Sequence, residues 1–143
     1  MKWFKGSRII NMDNVSSVLF NDDCVIFYFT NTININGKFI TDFYKEENEK
    51  YFADIYDMCL KNENFVKHPN KNEFINIKHI TQIIKDPRKN RLILIADHSI
   101  TVDNKIMGKF YYFELSKDTF NMLSDIDDKV ANTKEIVKIL KNI

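Results

Sequence analysis

The alternation of apolar and polar positions predicts a chain rich in strands. The segment from Val25 to Phe29 is apolar at every position, so an extended strand there presents apolar side chains to both of its faces. A strand of this kind is usually covered on both sides. The pattern therefore predicts a sheet that packs against a helix on one face and against a second sheet on the other.

The same pattern contains an internal repeat. Residues 10–19 align without gaps on residues 75–84, and the alignment keeps every apolar position and one Asn. A Gly-Lys-Phe tripeptide follows in each copy, at residues 37–39 and 108–110. Landmarks that recur in the same order with small differences in spacing indicate a diverged duplication.

Each copy is predicted to form antiparallel strands and then a helix. Strands are predicted at residues 15–20, 24–30, 32–36, 38–44, 73–77, 80–84, 91–96, 99–102 and 109–114. The helix of the first copy is predicted at residues 46–60, and Ser116 is the predicted N-cap of the second. Phe52 and Phe120 are predicted to be equivalent buried anchors. A last helix, opened by Asn132 or Thr133, has no counterpart in the first copy.

The predicted fold class is therefore α+β. It consists of two tandem antiparallel sheet-plus-helix units, residues 1–64 and residues 65–143, with an extra C-terminal helix. A unit of this size is only marginally stable by itself, because it buries too little of its surface. We expect the two units to pack as a pseudo-two-fold dimer and to form one cooperative body.

Composition and motifs narrow the classes of function. Hydrophobic residues make up 44% of the chain, which predicts a globular protein. No secretory signal or membrane-spanning segment is evident, so we expect a cytoplasmic protein without membrane contact. Cys24 and Cys59 are predicted to be free buried thiols. No catalytic motif occurs, and the neighbours Asp97, His98 and Ser99 are predicted to form a turn. We expect no enzyme, no cofactor and no metal site.

Charge is divided unequally between the two copies. Residues 1–64 carry a net charge of −3 and residues 65–143 a net charge of +4. The contrast is concentrated in one equivalent hairpin, which is acidic at residues 21–23 and basic at residues 85–91. The predicted binding residues of the basic hairpin are Lys85, Arg88, Lys89 and Arg91. The alternative is an ordinary solvated turn that keeps an edge soluble.

A second candidate contact lies at the N-terminus. Trp3 and Phe4 are flanked by Lys2, Lys5 and Arg8, and they are predicted to contact nucleic acid or another partner. The alternative is that they form a first strand tucked into the sheet.

These features favour a small binding protein without catalytic activity that acts on another macromolecule, as an adaptor or an inhibitor, with a protein as the expected partner. The abundance of Asn, Lys and Ile is typical of AT-rich genomes, and a phage or another mobile element is one such source. The alternative function is single-stranded nucleic-acid binding through the basic hairpin and an aromatic sheet face. The aromatic residues considered for that face are Phe27, Tyr28, Phe29, Phe43, Tyr44, Tyr111, Tyr112 and Phe113. A net charge of only +1 argues against a dedicated nucleic-acid protein.

Overall fold

The structure is a computed structural model that describes residues 3–102, 105–124 and 133–142. Its strands are β1 (Trp3–Lys5), β2 (Ile9–Asn11), β3 (Val15–Phe20), β4 (Val25–Ile35), β5 (Lys38–Glu46), β6 (Phe65–Lys67), β7 (Glu73–Asn76), β8 (Ile80–Asp86), β9 (Arg91–Ala96), β10 (Ile100–Val102), β11 (Lys105–Met107) and β12 (Phe110–Glu114). Its helices are α1 (Phe52–Lys61), α2 (Lys117–Ser124) and α3 (Thr133–Lys141), and short 3-10 helices lie at Met12–Asn14, Glu49–Tyr51 and Ile77–His79. The fold is α+β with antiparallel sheets, as predicted.

Two sheets form the body of the molecule. The first has five strands in the order β5-β4-β3-β7-β6, and the second has three in the order β12-β9-β8. All of these strand pairs are antiparallel. The strands β6 and β7 belong to residues 65–143, yet they complete the sheet that residues 1–64 begin. The first sheet therefore crosses the predicted boundary between the two units.

The first sheet is covered on both faces, as the sequence predicted. On one face, the core contains Phe27 from β4 together with Ile55 and Cys59 from α1. On the other, Ile75 from β7 shares a second core with residues of the second sheet such as Leu94. The two cores lie on opposite faces because neighbouring residues of a strand point to opposite sides.

The aligned segments of the repeat adopt the same local structure. Each runs from a strand through a 3-10 helix into a second strand. Asn11 caps the first 3-10 helix with φ −79° and ψ 105°, and Asn76 caps the other with φ −82° and ψ 103°. Each Asn side chain accepts a hydrogen bond from the backbone two residues ahead, at 3.1 Å in both copies. A bulge follows in each copy, at residue 16 and at residue 81. The packing of the copies about a two-fold axis stays a prediction.

The Gly-Lys-Phe match is not part of this repeat. Gly37 lies with Asn36 in the turn between β4 and β5, where both residues have positive φ. Gly108 instead lies between β11 and β12, where its φ is 111° and a Cβ atom would stand 2.9 Å from the Cα atom of Ser99. The two glycines thus meet different requirements, a tight turn and a close backbone approach. The shared Gly-Lys-Phe tripeptide therefore does not mark equivalent positions in the two copies.

The helix of the first copy begins later than predicted. Glu46 ends β5, and its buried carboxylate accepts hydrogen bonds from the backbone and hydroxyl of Ser7, at 3.0 and 2.9 Å. The helix α1 starts at Phe52. Ile55 is its buried anchor and Phe52 is only half-buried, whereas Phe120 of α2 is buried as predicted.

The final helix is present as α3 and packs against β6. Val137 and Leu140 are its buried residues, and Ile139 is half-buried. The predicted cap Asn132 and the predicted apolar residue Ile143 lie outside the described residues. Among the residues described, no helix is long and apolar enough to cross a membrane.

Candidate functional site

The basic hairpin joins β8 to β9 at one end of the second sheet. The amide of Lys89 donates to the carbonyl of Asp86 at 3.3 Å, and Asn90 completes the turn with a φ of 49°. Pro87, Arg88 and Lys89 are exposed. The equivalent hairpin of the first copy closes through a bond from Asn21 N to Cys24 O at 2.9 Å. The sequence therefore placed the hairpin correctly.

Arg91 differs from the exposed cations of the hairpin because the fold holds it in place. Its Nε atom is 2.8 Å from Oδ2 of Asp86, and both side chains are largely buried. Its guanidinium also lies over the ring of Tyr112, 4.2 Å from the centroid. Arg91 is thus an ordered stacking group, and its charge is already shared with a carboxylate.

Cross-strand register explains why this stack forms. Tyr112 pairs with Ile93, and Glu114 pairs with Arg91, so these four residues share one face of the second sheet. We call this the outer face, since the opposite face carries Leu94 and other residues of the second core. Tyr112 is 41% exposed on the outer face.

A second aromatic ring borders Tyr112. The ring of Phe110 lies 5.2 Å from that of Tyr112 in an edge arrangement, and Phe110 is half-buried. The other predicted stacking residues of this sheet, Tyr111 and Phe113, belong to the core. An aromatic surface next to the hairpin therefore exists, but Tyr112 is its main exposed ring.

The N-terminal pair divides between core and surface. Phe4 is 8% exposed, and its ring stacks on that of Phe27 at a centroid distance of 6.1 Å. Phe4 thus belongs to the first core, because β1 pairs with β2 and turns this side chain inward. Its contact with a partner stays a prediction. Trp3 points the other way and is 46% exposed.

A groove of about 470 Å³ adjoins Trp3. It is lined by Trp3, Phe4, Lys5, Met58, Lys61 and Asn62. Lys61 forms a salt bridge of 2.9 Å with Asp57 one turn earlier on α1. The groove leaves Trp3 available as a contact residue, and that role stays a prediction.

Sequence reasoning missed a polar cluster between the two sheets. Burial raises the pKa of Glu73, although the nearby Lys109 ammonium opposes the shift. Burial lowers the pKa of Lys109, and its ammonium lies 3.8 Å from the ring centroid of Tyr28. The hydroxyls of Ser17 and Tyr111 are buried beside Glu73 and make no hydrogen bond of standard geometry within the described residues. No local pattern marks this cluster, because its members come from four strands or their flanks.

Sequence reasoning also missed the structural role of one histidine, His79, which connects segments that are far apart in the chain. His79 places Nδ1 2.7 Å from Oδ2 of Asp97, while its Nε2 contacts the carbonyl oxygen of Asp13. His98 lies 3.2 Å from the other oxygen of Asp97, and Ser99 donates to the carbonyl of Lys109. Ser99 does not join the two histidines, so these residues form a turn and not a triad.

The two cysteines are free thiols. Cys59 is buried, and burial raises its pKa to about 12. Cys24 is half-buried next to the hairpin of the first copy. In the described part of the chain, no cluster of His, Cys, Asp and Glu has the geometry of a metal site.

Comparison with protein-family models and with curated proteins finds no match. Among solved structures, the chain is similar to the LytTr DNA-binding domain of a methyl-accepting/DNA response regulator from Bacillus cereus. The two share 14% sequence identity with a TM-score of 0.45, over 85% of this chain and 92% of that one. We assign no function from this likeness. The predicted adaptor or inhibitor role has no support among the comparisons, and the phage or mobile-element source stays a prediction.

Proposed function

We propose that this protein binds single-stranded nucleic acid through the tip of the β8–β9 hairpin and the outer face of the second sheet. The observation that carries the proposal is the stack of Arg91 on Tyr112 directly beside the exposed cations of the hairpin. The proposal includes no catalytic step and no cofactor.

The stack supplies a platform for a base. Unpaired bases stack on aromatic rings and on the planes of arginine guanidinium groups. Arg91 and Tyr112 already form such a stack with each other, at 4.2 Å, and a base extends this stack from the solvent side. Because Asp86 holds the Arg91 guanidinium at 2.8 Å, little side-chain entropy is lost when a base binds. Such stacking contributes about 1 to 3 kcal/mol per base and tolerates any sequence.

The hairpin tip supplies contacts to phosphate. Arg88 and Lys89 are exposed and adjacent, and Pro87 restricts the backbone that carries them. Two phosphate contacts on a single strand predict a log-log salt slope of about −1.4. The net charge of +1 is compatible with this site because the cations are concentrated at one tip.

A binding experiment separates the two parts of the site. Fluorescence anisotropy with a labelled oligothymidine, over a series of salt concentrations, gives both affinity and salt slope. Arg88→Ser with Lys89→Ser should flatten the slope by about 1.4, because two phosphate contacts are removed. The matched control is Lys38→Ser with Lys50→Ser, which removes two exposed lysines remote from the hairpin in sequence and should leave the slope unchanged.

Tyr112→Ala should act differently from the charge variant. It should weaken binding by about 5-fold to 150-fold, which corresponds to the loss of one stack, without altering the salt slope. Tyr112→Phe keeps the ring and should bind like the parent. Equal affinity of the parent, the charge variant and Tyr112→Ala for the oligonucleotide would refute the proposal. Stronger binding to a duplex of the same sequence would also contradict it, since paired bases cannot reach the stack.

A further inference from the structure

The strand β8 forms one edge of the second sheet, and its surface is unusually open. It pairs only with β9 in the part of the chain that the structure describes. Every residue from Thr81 to Lys85 is exposed, including Ile83 at 36% and Ile84 at 41%. These isoleucines point to opposite faces, because neighbours in a strand alternate. Apolar side chains therefore flank this edge on both sides.

The direction of the β8 backbone groups follows from hydrogen bonds on the far side of β9. Ala96 N donates to Lys109 O, and Asn90 O accepts from Leu115 N, so the even-numbered residues of β9 face β12. The odd-numbered residues, such as Ile93, consequently face β8. Ile84 pairs with Ile93 and bonds to it, whereas Ile83 directs its N–H and C=O away from the sheet.

The opposite edge of the same sheet is closed. The side-chain amide of Asn70 donates to the carbonyl of Glu114 at 3.1 Å and accepts from its N–H at 2.8 Å, as a neighbouring strand would. The backbone of Tyr112 is hydrogen-bonded to the imidazole of His68. Two side chains thus cap β12, and the described residues provide no such cap for Ile83.

Natural sheet edges are normally protected by charges, proline, bulges or short length. The edge strand β5 follows this rule and carries Lys38, Asp42 and Lys45. The strand β8 has 7 residues, and its bulge and its charged residues lie towards its ends. Its central segment, Gln82 to Ile84, has no charge and no proline. An edge with these properties is a template for another strand.

We propose that β8 pairs in antiparallel fashion with β8 of a second copy of this chain, about a two-fold axis at Ile83. Ile83 is the midpoint of Ile80–Asp86, so this register overlaps the whole strand. It also lets the outward N–H and C=O of Ile83 bond reciprocally to the same groups of the second copy. On the outer face, Ile84 packs beside Gln82 of the second copy.

A second copy suits this edge better than an unrelated strand because the strand is complementary to itself. Antiparallel self-pairing at Ile83 places apolar side chains together at the axis. The charged Asp86 lies opposite Ile80 and not opposite another carboxylate. The result is a continuous six-stranded sheet that joins two copies of the outer face. This interface does not depend on nucleic-acid binding.

Sedimentation equilibrium of the full chain tests the interface. The parent should show reversible dimerisation. Ile83→Pro removes an N–H that points away from β9, so the β8–β9 ladder should persist. It should lower the association constant by about 30-fold, since two reciprocal hydrogen bonds are lost. Ile83→Thr keeps the N–H and the strand preference and should still dimerise. A parent that remains monomeric at millimolar concentration would overturn the proposal.

Disulfide trapping tests the register. In a Cys24→Ser background, Ile83→Cys should form a cross-linked dimer under mild oxidation, because a hydrogen-bonded pair has Cα atoms about 5.5 Å apart. Ile84→Cys should not, because its counterpart is displaced by two residues along the strand. Cross-linking through Ile84 alone would contradict the proposed axis. Salt distinguishes this proposal from the proposed function: added salt should weaken nucleic-acid binding but should not weaken the dimer, because backbone hydrogen bonds and the uncharged side chains of residues 82–84 hold it together.

Discussion

Acidification should destabilise the protein through one buried histidine. His68 is almost completely buried, and its ring lies 4.6 Å from that of Phe113. Its Nδ1 atom accepts a hydrogen bond of 3.0 Å from the amide of Asn70, which requires the neutral imidazole. Burial, together with the charges of Lys71 and Lys67, lowers the pKa of His68 to about 4 from its usual 6.5.

The direction and the size of the effect on stability follow from the difference between the folded-state and the unfolded-state pKa of His68. Because the folded-state pKa is below the unfolded one, the unfolded chain binds the proton more tightly, and stability falls as pH drops below about 6.5. The loss is complete near the folded-state pKa. A difference of about 2.5 pKa units corresponds to about 3 kcal/mol, which is a large part of the stability of a small domain.

Urea denaturation of the parent and of His68→Gln, at several pH values, measures this contribution. The carboxylates and the other histidines titrate in both proteins, so their effects cancel in the difference between the two free energies of unfolding. On going from about pH 7.5 to about pH 4, the parent should lose about 3 kcal/mol of its free energy of unfolding relative to His68→Gln. Parallel pH profiles for the two proteins would refute the reasoning.

Three further predictions concern stability. Ile55→Ala should cost about 2 to 5 kcal/mol in urea denaturation, and Phe52→Ala should cost less than a full aromatic truncation because its side chain is only half-buried. By the same measurement, Asn76→Ala should lower the free energy of unfolding by about 2 kcal/mol and Asn11→Ala should lower it by about 1 kcal/mol. Both substitutions remove a cap, but Asn76 also donates a buried hydrogen bond to the carbonyl of Val15 in the other copy. Equal losses would contradict this expectation. Burial raises the pKa of Glu73, so Glu73→Gln should gain stability relative to the parent as pH rises from about 4.5 to 7, measured by thermal unfolding.

The repeated local structure was accessible from the sequence because it depends on neighbouring residues. Strand alternation and the Asn that precedes each 3-10 helix are local features, and residues 10–19 and 75–84 carry them in equivalent places. A capping Asn satisfies a backbone N–H within its own turn, whatever the rest of the fold does. The Gly-Lys-Phe tripeptide failed as a guide because glycine meets several different backbone requirements.

The candidate site was predicted only in part for a related reason. Four cations near a turn can be recognised along the chain, but the partners of Arg91 cannot. Asp86 is its cross-strand neighbour across the turn, and Tyr112 comes from a strand about 20 residues later. Register alone decides that Arg91 is ordered and that Arg88 and Lys89 remain exposed.

The sequence by itself determined the α+β class, the strand that is apolar on both faces, the repeated strand-turn-strand segment and the basic hairpin. Only the tertiary structure decided that Phe4 is core while Trp3 is surface, that β6 and β7 complete the first sheet, and that the β8 edge is open while the β12 edge is closed. The first group follows from preferences that act within a few residues. The second group depends on which strands become neighbours, and that is decided by the combined burial of side chains far apart along the chain.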